Sequence, residues 1–299
     1  MEKPLILHMF TPTRNVSPFD VNMAYDAGYD RIMPYTDVTL DMISPLTQDA
    51  IFSRGPAGVA RTGIFIGGRE IGMAADMIDI AKRAMQPPFE VSLFADPSGA
   101  FTTAAALIAK AEKSLLARGL KGLQGRKVVL LGGTGPVGTA AAVLANMAGA
   151  EVRVASFSSL TRARVTAQMI NARYGAVAEA ADASQPDENH LLFEQAEVLL
   201  GTARAGVQVA SLAQLQTCRN LLVAADLNAV HPAGIEGVGL LDDGKPLATG
   251  SSETLGIGAL AVGNVKYQVM RKLFERMINT DKPVTLDFRD AFLLARELV

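Results

Sequence analysis

Cysteine is nearly absent from this 299-residue chain: Cys218 stands alone, which excludes an internal disulfide and a cysteine-built zinc site and points to a reducing, cytoplasmic compartment. Histidine is scarce too. His8, His190 and His231 lie far apart without metal-ligand spacing, so no metal site is expected. No uninterrupted apolar run approaches the roughly 20 residues needed to span a bilayer, and the apolar stretch near the N-terminus is too short for a signal sequence. Charge of one sign is lacking as well, with 28 Lys and Arg against 30 Asp and Glu, a net charge of −2. The whole-protein field therefore gives no reason to invoke nucleic acid or an anionic membrane, and the expected ligand is small. No G-x-S-x-G elbow occurs, and none of the 5 tyrosines is followed four residues later by lysine. Hydrolase and short-chain-dehydrogenase chemistry lose support accordingly.

What is present begins with an apolar fraction of 49%, enough for two ordinary cores in a chain of this length. The stretch Lys127-Val-Val-Leu-Leu-Gly-Gly-Thr-Gly-Pro-Val-Gly138 reads as a strand running into a glycine turn that opens a helix. Gly133, Gly135 and Gly138 have the spacing G-x-G-x-x-G, which assigns Gly133 to the tight turn, Gly135 to close approach of a pyrophosphate and Gly138 to helix–strand packing. Pro136 suits the first helical turn, Gly149 suits the helix stop, and Glu151 to Ala155 supplies the next strand. Thr134, Pro136 and Val137 complete the expected cofactor turn, whose free N–H groups face the phosphates.

Strand–helix alternation starts earlier. Leu5 to Phe10, Tyr29 to Tyr35, Thr62 to Gly68 and Phe89 to Ala95 read as strands, with helices from Ser17 to Gly28, from Glu70 to Met85 and from Phe101 to Arg118. Pro45, Gly55, Pro56 and Gly58 break the segment from Asp41 to Ala60, which reads as a short helix and a mobile loop. Four alternations before the glycine turn are enough for a separate domain. The expected fold is α/β in two domains: an N-terminal α/β substrate domain over residues 1–118, with a C-terminal helix over 285–299 packing back on it, and a Rossmann-type parallel-sheet dinucleotide-binding domain over 119–284. Glu197 to Gly201 and Asn220 to Ala225 are further strands whose ends would present Thr202, Ala203, Asp226 and Asn228 to a cofactor. Asp226 and Asn228 could equally cap a helix or order a loop.

Nucleotide choice is expected where the strand after the glycine-turn helix ends. From Val152 to Ala178 there is no Asp or Glu, whereas Arg153, Arg162, Arg164 and Arg173 occur beside Ser156, Ser158 and Ser159. Arginine and serine accommodate a 2′-phosphate that a carboxylate would repel, so NADP is expected, with Ser156, Ser158 and Arg162 near the phosphate. The alternative is a solvated helix face. Lys266 follows a late glycine-rich run and is expected to open a helix, an unfavourable place for a cation that invites a functional explanation, although a snorkelled surface lysine is the alternative.

Five segments carry a family resemblance: Ser17-Pro-Phe-Asp-Val-Asn-Met-Ala-Tyr-Asp-Ala-Gly28, Thr62-Gly-Ile-Phe-Ile-Gly-Gly68, Phe94-Ala-Asp-Pro-Ser-Gly-Ala-Phe-Thr-Thr-Ala-Ala105, Gly132 to Gly138 and Gly256-Ile-Gly-Ala-Leu-Ala-Val-Gly-Asn-Val-Lys266. Together they resemble the bacterial NAD(P)-dependent methylenetetrahydromethanopterin dehydrogenases over essentially the whole chain. The resemblance implies a pterin in the cleft between two α/β domains with the nicotinamide at its floor, a catalytic lysine at Lys266, and use of NADP with NAD possible. Asp20, Tyr35, Asp96 and Thr102 lie in segments similar to the family's and are expected to bind substrate, with helix capping or core packing as the alternative for Asp20 and Tyr35. The implied reaction is hydride transfer from methylenetetrahydromethanopterin in one-carbon metabolism, by a homo-oligomer. It requires no general base, which suits the shortage of histidines. A methylenetetrahydrofolate dehydrogenase and a non-catalytic NADP sensor are the competing readings.

Overall fold

The computed structural model describes residues 3–184, 186–251 and 253–299. The chain divides into one unit of residues 1–102 and 267–294 and a second of residues 103–266 and 295–299, so the division falls within three helices.

The first unit alternates β1 (Ile6–Phe10), α1 (Pro18–Asp26), β2 (Arg31–Tyr35), α2 (Leu40–Phe52), α3 (Gly55–Val59), β3 (Thr62–Ile66), α4 (Ile71–Ala84) and β4 (Ser92–Ala95) before α5 (Ala100–Leu116) begins. Strands β3 and β4 are buried at every position, as parallel strands covered on both faces must be. Phe65, Phe94 and Phe274 pack as an aromatic trio with ring centroids 5.1–5.4 Å apart. The region expected to be a short helix and mobile loop is instead α2 followed by α3. Helix α2 runs through Pro45, and Pro56 stands in the first turn of α3, where a missing N–H costs nothing.

The second unit continues with β5 (Lys127–Leu131), α6 (Pro136–Met147), β6 (Glu151–Ser156), α7 (Leu160–Tyr174), β7 (Ala178–Asp182), α8 (Pro186–Gln195), β8 (Val198–Gly201), α9 (Leu212–Thr217), β9 (Val223–Asp226), β10 (Asp243–Pro246) and β11 (Leu255–Ile257). Helix α10 (Ala259–Ile278) crosses into the first unit, followed by β12 (Thr285–Leu286) and α11 (Phe288–Leu298). Strand β12 joins the first unit's sheet, which has the order β12-β4-β3-β1-β2 and is parallel throughout.

The second sheet has the order β10-β11-β9-β8-β5-β6-β7, parallel except for β10. From β5 the chain moves outward through β6 to β7, then returns to lay β8 on the other side of β5. That reversal is the topological switch point of a doubly wound sheet, where a crevice opens at the carboxyl ends of the strands. Helix α6 can lie close over the sheet because its buried face from Gly138 to Ala145 is mostly alanine and glycine. Gly175 ends α7 in the left-handed conformation, φ 65°.

Candidate cofactor groove and candidate residues of the first unit

The strand–turn–helix at the switch point is built from four glycines with different jobs. Gly132 takes the left-handed conformation, φ 74°, and a Cβ there would lie 2.7 Å from Ala203 Cα. The tight turn thus belongs to Gly132, not to Gly133 as the spacing suggested. Gly133 is needed for space, since its Cβ would sit 2.9 Å from Leu130 and 3.1 Å from Val154. Gly138 serves close packing: its Cβ would meet Gly133 Cα at 2.5 Å. Gly135 caps α6 at φ −83° and ψ 170°, and a Cβ there would meet nothing closer than the Gly132 carbonyl oxygen at 3.8 Å. Of the three spacing glycines, Gly135 alone faces open space. The Thr139 N–H and hydroxyl both donate to its carbonyl at 2.8 Å, anchoring the first helical turn.

That open space is a groove of about 620 Å³, within the usual range for ligand pockets. The glycine turn contributes Thr134, Gly135, Pro136 and Val137, the end of β6 contributes Ser156 and Ser158, and the loop after β8 contributes Thr202 and Ala203. Arg162 reaches it from the first turn of α7. Gly132, Phe157, Arg204 and Val207 also line it and were missed; a cation two residues after Thr202 was the available signal for Arg204. Among the described residues the lining includes two arginines and no carboxylate. An anion therefore meets helix N–H groups and guanidinium charge there, the chemistry that a dinucleotide's phosphates require.

Serines shape the β6 side of the groove. Ser156 is buried, its hydroxyl lies 3.0 Å from that of Ser158, and it accepts from the Ser158 and Ser159 N–H groups at 3.3 and 3.4 Å. Ser159 caps α7 by accepting from the Arg162 N–H at 3.3 Å. Thr202 donates through its N–H and hydroxyl to the Leu131 carbonyl, extending the β5–β8 pairing beyond the strands.

Asp226 and Asn228 are not in the groove lining, and their side chains order loops. Buried Asp226 accepts from Asn228 N–H at 3.0 Å and Ile235 N–H at 2.9 Å. Burial raises its pKa, while these backbone bonds oppose the shift. Asn228 accepts from the Gly206 and Val230 N–H groups and donates to Pro232, which ties the loop after β9 to the one after β8.

In the first unit, Tyr35 ends β2, with its hydroxyl 3.1 Å from His8 Nδ1 and its ring edge-on to Phe10. Burial, with help from Arg54, lowers the His8 pKa. Asp20 is buried in the first turn of α1. Asp96, fully buried after β4, accepts from the Phe101 N–H at 2.8 Å and from the Thr102 N–H and hydroxyl, so these two candidates bond each other across the head of α5. Nearby Ser98 is held at φ 55° and donates to the Gly68 carbonyl at 2.8 Å. Lys266 does not open a helix: α10 starts at Ala259, which puts the lysine two turns in and half-buried, beyond the part of the helix where the macrodipole penalty acts. His190 lies 3.7 Å from Glu194, and His231 precedes Pro232 across a cis peptide bond. Among the described residues no group of three or more His, Cys, Asp or Glu could hold a metal ion, and no helix is long and apolar enough to cross a membrane.

A doubly wound sheet with a glycine turn opening onto a phosphate-suited groove defines a dinucleotide-binding α/β protein, joined here to a second parallel α/β unit. Two solved structures share this fold: shikimate 5-dehydrogenase from Listeria monocytogenes, in complex with shikimate and NAD, at TM-score 0.51 and 12% identity over 99% of this chain and 96% of that one; and ornithine carbamoyltransferase from Pyrococcus furiosus, at TM-score 0.55 and 14% identity over 94% and 87%. A fold common to a dehydrogenase and a carbamoyltransferase does not choose a reaction. Sequence does more. The NAD(P)-dependent methylenetetrahydromethanopterin dehydrogenase of Methylorubrum extorquens is 45% identical over 98% of both chains, and the model of the N-terminal region of methylene-tetrahydromethanopterin dehydrogenases matches residues 18–98. The chain belongs to the NAD(P)-dependent methylenetetrahydromethanopterin dehydrogenase family.

Proposed function

We propose that this protein oxidises methylenetetrahydromethanopterin to methenyltetrahydromethanopterin with NADP, accepting NAD as well, in formaldehyde oxidation within one-carbon metabolism. The observation that carries the proposal is the space at Gly135, which a side chain would fill, within the groove of a chain 45% identical to a dehydrogenase of that name. When bound, the nicotinamide accepts a hydride from the methylene carbon, leaving a cation shared by its two flanking nitrogens.

No proton leaves the substrate, so the chain's residues bind and orient rather than exchange protons. In this reading the N–H groups at the head of α6 hold the pyrophosphate, while Ser156, Ser158 and Arg162 take the 2′-phosphate. Thr202 and Ala203 bound the groove on the β8 side, and Asp226 and Asn228 support it indirectly by fixing the neighbouring loops. Lys266 is assigned to the reacting end, where it holds the pterin or the carboxamide. Asp20 and Tyr35 are assigned to the pterin, and so are Asp96 and Thr102, which bond each other at the head of α5. The lone cysteine supports a cytoplasmic setting. A homo-oligomer belongs to the same reading and is checked by light scattering.

Deuterium on the methylene carbon tests the reaction: it is expected in the reduced cofactor without loss to water. Solvent hydrogen in NADPH would refute direct transfer. NADPH binding without turnover would leave only a sensor, and faster turnover of the folate than of the methanopterin substrate would reassign the pterin.

A further inference from the structure

The carboxylate-free run that favours NADP ends at Ala178, and the next strand supplies an acid. Strand β7 pairs in parallel with β6, and its last residue, Asp182, stands in register with Ser156. Paired positions on adjacent strands lie about 4.8 Å apart and point to the same face of the sheet. Asp182 therefore neighbours the serine assigned to the 2′-phosphate. The backbone reinforces the adjacency, because the Ala183 N–H donates to the Ser156 carbonyl at 2.9 Å.

Several groups keep this carboxylate in place and charged. Asp182 Oδ1 accepts from the Ser184 hydroxyl at 2.6 Å and the Ser184 N–H at 2.8 Å. The Ser184 hydroxyl, the Ser184 N–H and the Leu160 N–H together hold its pKa below the usual value. Leu160 opens α7 directly after Ser158 and Ser159. Asp182 thus takes up part of the anion-attracting head of the helix that also carries Arg162.

We infer that Asp182 is a specificity-determining residue that weakens binding of the 2′-phosphate and so keeps NAD usable beside NADP. This rests on the proposed function, in particular on the placing of the 2′-phosphate by Ser156, Ser158 and Arg162. At a separation of about 7 Å, roughly one strand spacing plus a hydrogen-bond length, repulsion between a phosphate and this carboxylate at near-water dielectric amounts to about three- to fivefold in affinity. It is expected to disappear near 1 M salt, where the Debye length is about 3 Å.

The test uses Asp182→Asn, which keeps an acceptor for Ser184 and Leu160 and removes the charge. Calorimetry with adenosine 2′,5′-bisphosphate and with ADP reads the site without turnover. The expected result is about three- to fivefold tighter binding of the 2′-phosphorylated ligand at low salt, no such gain at 1 M salt, and unchanged binding of ADP. Equal changes for both ligands, a gain that survives high salt, or no change would overturn the assignment. Arg162→Ala separates the two levels of the argument. If it weakens the 2′-phosphorylated ligand while Asp182→Asn does nothing, only the role of Asp182 fails. If it leaves that ligand untouched, the phosphate site fails and the inference with it.

Discussion

Replacing Gly135 with valine separates a glycine kept for a ligand from one kept for the fold. The backbone at Gly135, φ −83° and ψ 170°, is open to any residue, and the nearest atom to its Cβ would be 3.8 Å away. Loss of glycine stiffens the unfolded chain by about 0.4–1 kcal/mol, whereas valine is a poorer N-cap by a similar amount, so net stability should change by no more than about 1 kcal/mol. For a unit of this size that is a shift of about 2–4 °C in Tm. The branched side chain, however, would occupy the groove. Displacing the pyrophosphate from two helix N–H groups forfeits charge-assisted hydrogen bonds of about 1.5–3 kcal/mol each, or at least about a hundredfold in affinity. NADPH fluorescence titration beside a thermal scan measures both quantities. Gly138→Ala is the opposite control: its Cβ would meet backbone atoms of Gly133 at 2.5–2.8 Å, so stability should fall by at least about 1–3 kcal/mol. A Gly135→Val protein with parental Tm and NADPH affinity within about threefold of parental would show that phosphates do not bind at this turn, and the placing of the cofactor would be wrong.

Ser156→Asp should move kcat/KM toward NAD by about tenfold or more, roughly 1.4 kcal/mol, by repelling a 2′-phosphate and offering a partner to the ribose hydroxyls; a parent that already prefers NAD tenfold would contradict the NADP assignment. Lys266→Ala should lower kcat/KM on the order of a hundredfold with NADP affinity little changed, whereas single replacements of His8, His190 or His231 should cost less than about tenfold; near-parental turnover in a folded Lys266→Ala protein removes the lysine from the mechanism. The pKa of His8 is lowered in the fold, so on acidification the unfolded chain takes up this proton first, and stability should fall as pH drops below about 6.5 toward the lowered value. His8→Gln should flatten that part of the stability curve, and identical pH slopes in parent and variant would exclude His8 as the source.

The local parts of this fold were legible. An apolar strand, a glycine turn, Pro136 at the head of a helix and Gly149 at its foot are signals carried by neighbouring residues, and β5, α6 and β6 follow them closely. Gly175, which ends α7 in the left-handed conformation, is a signal of the same local kind. The errors arose where glycine or proline serves distant contacts or is tolerated within a helix. Pro45 lies inside α2 and was read as a break. The glycine-rich run before Lys266 was read as preceding a helix that the lysine opens, yet it contains β11 and the first two turns of α10. Gly258 marks the cause: a Cβ there would stand 2.1 Å from the Gly239 carbonyl oxygen. That glycine is required by a segment some twenty residues away in the chain, a demand with no local trace.

The candidate cofactor site divides along the same line. Thr134 to Val137 follow from spacing, and Ser156, Ser158 and Arg162 from the end of the next strand, because both are short-range features that the groove brings together. Asp226 was a candidate because it too ends a strand, with loop ordering as the equal alternative. Its two carboxylate oxygens, however, accept from the Asn228 and Ile235 N–H groups, so a strand-end acid can be consumed by the loop that follows it. Asp182 is the converse case. A linear scan for acids near the 2′-phosphate stops at the end of the helix after β6, but a parallel sheet returns the chain to the same edge one strand later and sets a carboxylate in register with Ser156. Acids that bear on cofactor choice in a doubly wound sheet therefore have to be sought at the ends of both strands bordering the ribose side, which in this chain are Ser156 of β6 and Asp182 of β7.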